Sequence, residues 1–123
     1  MRPSTTSELG IVDVHNDVIA AIVEREAVNV DGVVRFAEKT GESIAKRLGS
    51  SATHGLKVRV DDNGRIFIDM HVIVQYGSVI PDVAHKVQET VMESLRTMTQ
   101  ASVAEINVHV DGIEYVDPDM ETD

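Results

Sequence analysis

Leu56-Lys57-Val58-Arg59-Val60-Asp61-Asp62-Asn63-Gly64-Arg65-Ile66-Phe67-Ile68-Asp69-Met70-His71-Val72-Ile73-Val74-Gln75 is the stretch whose reading decides the fold. Leu56, Val58 and Val60 alternate with Lys57, Arg59 and Asp61; Ile66, Ile68, Met70, Val72 and Val74 alternate with Phe67, Asp69, His71, Ile73 and Gln75. A period of two belongs to a strand with one buried face, and Asn63-Gly64 between two such runs predicts a hairpin. Loop length then sets the register. A two-residue loop would place Val60 opposite Phe67, an apolar face against a polar one. A three-residue loop, Asp62 to Gly64, places Val60 opposite Ile66 and Val58 opposite Ile68, so the apolar faces align. A one-residue slip would turn every side chain to the wrong side, so the longer loop is predicted, with Gly64 left-handed in a bulge turn.

Downstream, Gly77-Ser78 breaks the strand, and Pro81 and Asp82 suit the first turn of a helix. Val83, Val87, Val91, Leu95 and Met98 form one stripe at helical spacing, with Lys86, Glu89, Glu93 and Arg96 away from it and His85 at its edge. This helix is predicted to end near Gln100. Val103 to Val110 reads as a final strand with Ile106, Val108 and Val110 on its apolar face, and Asp111-Gly112 as a turn. Upstream, Gly10 to His15 alternates as a short strand, and Asn16 suits a helix N-cap with Asp17 in the first turn. Val18, Ile19, Ile22 and Val23 carry that helix to about Ala27, and Val30 to Val33 reads as a turn. Between Val34 and Gly55 the signal is weaker. Thr40 caps a short helix with Ile44 and Leu48 on one face and Gly49 as its stop, followed by a loop from Ser50 to Gly55.

The predicted order is β-α-(α)-β-β-α-β. It implies an α+β fold, a small mostly antiparallel sheet with helices on one face, in a ferredoxin-like split β-α-β arrangement. The polar residues 1–8 read as a flexible N-terminus, 9–115 as one domain, and 116–123, with four acids and no base, as a disordered tail. A chain of 123 residues fits one domain, and 42% hydrophobic residues supply its core. Twenty valines against four aromatic residues favour a sheet with helices laid on it.

Composition also narrows function. The absence of cysteine removes disulfides, thiolate catalysis and thiolate-bound zinc, and fits a cytoplasmic location. Met1 to Leu9 lacks a secretory layout, and no apolar run reaches the roughly 20 residues of a membrane span, so no direct membrane insertion is expected. The formal charge is −10: residues 1–64 carry 8 basic and 10 acidic side chains, and residues 65–123 carry 3 and 11. Such a field repels phosphate backbones, so nucleic acid is not an expected partner. Glycines form neither a dinucleotide nor a nucleotide cradle, and no nucleophile elbow or zinc-protease helix is present. No catalytic residue or cofactor is assigned, and no enzyme activity is expected.

One constellation remains. With the strands paired as proposed, Asp13, His15, Asp69, His71, Glu105, Asn107 and His109 share the uncovered sheet face. His15, Asp69, His71 and His109 there are candidate metal ligands, or a cluster that changes charge near neutral pH. Burial alone also produces such alternation. Ile11, Phe67 and Ile73 interrupt the same face with apolar side chains and are candidates for protein contact.

Ile68-Asp69-Met70-His71-Val72-Ile73-Val74-Gln75-Tyr76-Gly77, followed by Ile80-Pro81-Asp82-Val83-Ala84-His85-Lys86-Val87-Gln88, resembles the signature of the alkaline shock protein family of mainly Gram-positive bacteria. Gly10 to Val14 with Val18-Ile19, Val30 to Val33, and Ile106 to Ile113 fit the same pattern, over about residues 8–116. The resemblance implies an abundant cytoplasmic protein of the cell-envelope stress response, without catalytic residues or cofactor. It implies protein partners, one of them membrane-anchored and able to hold the chain near the membrane, and homo-oligomers. Against this adaptor or scaffold reading stand the metal- or pH-responsive face and the role of accessory subunit to an enzyme.

Overall fold

The computed structural model describes residues 4–37 and 55–117. The short helix read from Thr40, the loop from Ser50 to His54 and the acidic end beyond Asp117 lie outside the described residues.

The hairpin is β4 (Leu56–Val60) and β5 (Arg65–Gln75), antiparallel, with Val60 opposite Ile66 and Val58 opposite Ile68. This is the register that the alternating faces demand. The Asp61 amide donates to the Arg65 carbonyl at 3.0 Å, closing a loop of Asp62, Asn63 and Gly64, and Gly64 sits at φ +79°. Asp61 locks the turn: one carboxylate oxygen accepts from the Asn63 and Arg65 amides, each at 2.9 Å, and the other meets the Arg65 guanidinium. The Arg65 amide, more than any other contact, holds this carboxyl below its usual value of 3.8. Its stabilisation is therefore complete above that value and fades as pH falls through the lower native one. Asp61→Asn is expected to lower the melting temperature at neutral pH and to flatten its dependence on pH below about 4. Melts of both proteins between about pH 6 and about pH 3 check this.

Helix α1 (Asn16–Val28) and helix α2 (Ile80–Thr99) both lie on one face of the sheet. One cluster holds Ile19, Ala20, Val23 and Ala27 of α1, Val83, Val87, Val91 and Leu95 of α2, and Leu56, Val58, Ile66, Ile68, Met70, Val72, Val74 and Ile106 of the sheet. Met98 is not part of it. It is exposed in the last turn of α2, just before Gln100 reverses the chain at φ +58°. Helix α1 begins one residue earlier than the sequence suggested: His15 is the N-cap, its Nδ1 accepting the Asp17 amide at 3.2 Å, and Asn16 is already helical.

Strand β6 (Ser102–Glu114) runs parallel to β5 along its whole length. Asp111-Gly112 does not turn the chain. Asp111 is the extra residue of a bulge, since Val110 pairs with Val72 and Gly112 with Ile73. A strand not anticipated, β3 (Val33–Phe36), pairs with the second half of β5 on its other edge, while β4 pairs with the first half. The two lie end to end. They meet at His71, whose carbonyl accepts the Ala37 amide at 2.8 Å and whose amide donates to the Gly55 carbonyl at 2.7 Å.

The α+β class, the order of the elements and the placing of both main helices on one face are as expected. The place of the first strand is not. β2 (Gly10–Asp13) joins a separate antiparallel pair with β1 (Ser4–Ser7), inside the segment read as flexible, rather than the sheet of β3 to β6. Alternation identified β2 as a strand but carried nothing about which edge it would join.

Candidate functional site

The face of the sheet away from the helices is built by β5 and β6. Because their register is parallel and in step, Asp69 lies beside Asn107 and His71 beside His109. Burial of the intervening Ile68, Met70 and Ile106 on the helix side turns these polar residues outward. The imidazoles of His71 and His109 stack, with ring centroids 4.6 Å apart and planes 19° from parallel. Each has a carboxylate. His71 Nδ1 lies 3.0 Å from Asp111, and His109 Nε2 lies 3.7 Å from Asp69. Asn107 donates to Asp69 at 3.1 Å and to Glu105 at 3.3 Å, tying the cluster into one network.

Asp69, His71 and His109 are thus brought together as the alternation predicted. His15 and Asp13 are not, because β2 lies outside this sheet; His15 instead caps α1. The same displacement corrects Ile11, which is exposed on the β1–β2 pair, while Phe67 and Ile73 stay on the open face. Phe67 is covered by the Arg59 guanidinium, 4.2 Å from the ring centroid, and Ile73 lies two residues beyond His71. Asp69 and His71 separate these two apolar side chains. Sequence reading missed Asp111, hidden by its resemblance to a turn, and the Arg35–Glu114 ion pair that ties β3 to the end of β6 at 2.5 Å.

The arrangement suits proton exchange and hydrogen bonding better than metal binding. Each ring nitrogen that has a partner is directed to a different carboxylate, and among the described residues no group of three or more His, Cys, Asp or Glu side chains is placed to hold a metal ion. With both imidazoles neutral the four side chains Asp69, Asp111, His71 and His109 carry −2; with both protonated they carry zero. Lys57, paired with Asp69 across the sheet, and Glu105 border the cluster.

Among the described residues, two helices on one side of the four-stranded sheet and a polar network on the other define a small α+β protein. Residues 4–115 match the alkaline shock protein 23 family, described by its cell envelope-related function, and the chain belongs to that family. It is similar to the uncharacterized Bacillus subtilis protein YqhY, with 38% identity over 111 residues, 89% of this chain and 81% of that protein. It is also similar to the uncharacterized Bacillus subtilis protein YloU, with 31% identity over 115 residues, 91% of this chain and 95% of that protein. The uncharacterized Streptococcus pyogenes protein Spy1535 is 27% identical over 110 residues, 89% of this chain and 83% of that protein. No solved structure matches significantly. Among the described residues no helix is long and apolar enough to cross a membrane.

Proposed function

We propose that the chain is a non-enzymatic cytoplasmic adaptor or scaffold of the cell envelope, acting through protein contacts on the open face of its sheet. The observation that carries this reading is the division of β5. Every second side chain is buried under the helices, and the alternate set, from Phe67 to Ile73, is left half-buried with no helix over it among the described residues. Half-buried Phe67 and Ile73, set around a hydrogen-bonded polar centre, offer a surface of the mixed character common in protein interfaces. Membership of an envelope-related family supports the setting, and a membrane-anchored partner would supply the attachment.

The test is affinity capture from a native lysate of the source cell, comparing the wild type with Phe67→Glu/Ile73→Glu. A defined partner that the wild type retains and the variant loses supports the reading. A wild type that captures no partner and stays monomeric at high concentration ends it.

The stacked histidine pair favours a second reading, in which protonation tunes the same surface. Partner capture is then expected to depend on pH, and to lose that dependence in His71→Gln/His109→Gln. An unchanged pH profile in that variant removes this reading.

A further inference from the structure

The β1–β2 pair stands apart from the other described elements. Its strands contact each other but make no substantial contact with either helix or with the sheet of β3 to β6. All four residues of β2 are exposed, with Ile11 at 69% and Val12 at 63%. Isolated two-stranded hairpins are marginal in water, because they bury too little to offset their ordering. An arm carrying exposed β-branched residues is completed by something that covers it.

The sheet offers a matching vacancy in its pairing. Among the described residues β6 pairs with β5 on one side and with no strand on the other. Two devices restrict this free edge. Register shifts beside Ala104 and at Asp111 interrupt it, and Glu105, Asp111 and Glu114 place acids along it with no Lys or Arg in the strand. The Ile106 carbonyl, moreover, already accepts the Gln88 side chain at 2.9 Å. What remains regular is Asn107 to Val110, a stretch as long as β2, which has four residues. Its core-side residues, Val108 and Val110, are only partly buried, in contrast to Ile106.

We infer that the β1–β2 arm of one copy adds to the free edge of β6 in a second copy, with Ile11 or Val12 covering Val108 and Val110. Length matches, and apolar area meets apolar area. Charge points the same way. Within residues 1–7 the one charged side chain is the basic Arg2, whereas a second β6 set antiparallel about Val108 would oppose Glu105 with Asp111. The inference rests on the reading of this protein as one that acts through protein contacts, and specifies one such contact away from the open face.

Sedimentation measures the assembly, and engineered disulfides locate the contact. The wild type is expected to exceed monomer mass as concentration rises, and Ile11→Asp/Val12→Asp to weaken that association by about tenfold or more. Both substituted residues are exposed and outside the core, and circular dichroism should show both proteins equally folded. Since the chain has no cysteine, Val12→Cys protein should form mixed disulfide dimers with Val108→Cys protein where Val12 takes the core side, or with His109→Cys protein where Ile11 does, while Val12→Cys mixed with Glu89→Cys on α2 should form none. Undiminished assembly in the Ile11→Asp/Val12→Asp protein overturns the arm contact while leaving the adaptor reading intact. So does Val12→Cys protein that cross-links only to itself, or only to a foreign protein in a lysate. A strictly monomeric wild type overturns it as well, and the adaptor reading then stands or falls on partner capture alone.

Discussion

Gly55→Ala is expected to cost about 3 kcal/mol or more, a loss comparable with emptying a core position even though the substitution adds only a methyl group. Gly55 stands where the chain re-enters the sheet, at φ +71°, in the left-handed region that side chains other than glycine occupy at a cost. Space is the larger obstacle. A Cβ there would run into the Ala37 carbonyl and lie 2.9 Å from the His71 carbonyl. Both are backbone atoms inside the ladder, so neither can swing aside. Relief requires moving the Ala37–His71 or the His71–Gly55 hydrogen bond, and these join β3 and β4 to β5. The expected result is a melting temperature lower by roughly 10 °C or more. Gly10→Ala is the control: it also has positive φ, but an added Cβ meets nothing within 4 Å. If thermal melts showed the two variants equally destabilised, conformational strain alone would account for both, and the crowded splice at His71 would be wrong.

The splice also shows what sequence can and cannot disclose. The β4–β5 register was legible because both strands separate apolar from polar side chains, so one pairing satisfied both faces. The core stripe of α2 was legible for the same reason from Val83 to Leu95, but Met98 belongs to a turn that outruns the sheet, and periodicity has no knowledge of where a neighbour ends. β3 was hidden because Val33–Phe36 is four residues long and abuts a turn signal; it is a strand because β5 is long enough to receive it beyond β4. Asp111-Gly112 has the composition of a turn, and it takes the parallel ladder with β5 to make it a bulge. The candidate site divides along the same line. Asp69, His71 and His109 sit on strands whose pairing followed from their own alternation. Asp13, His15 and Ile11 were added by assuming that β2 joined the same sheet, an assumption that no residue in β2 supports.

Ile68→Ala is expected to lose about 2–5 kcal/mol, and Ile73→Ala, five residues along the same strand, less than about 1 kcal/mol. The two residues have the same side chain, the same strand and opposite faces. Ile68 is fully buried beneath the helices, flanked across the ladders by Val58 and Ile106, and its truncation leaves a cavity that a β-strand fixed on both edges cannot collapse to fill. Ile73 lies on the open face beside Arg35 and Gly112, where removing three carbons leaves solvent-accessible space. Denaturant melts give both differences directly, and the slope with denaturant should stay near the wild-type value in each. The comparison bears on function because an open-face residue that contributes little to folding is free to serve a contact. A large loss at Ile73 with a small one at Ile68 would mean that the sheet is covered on the histidine side, and no partner could then reach His71, His109 or Phe67 without unfolding the protein.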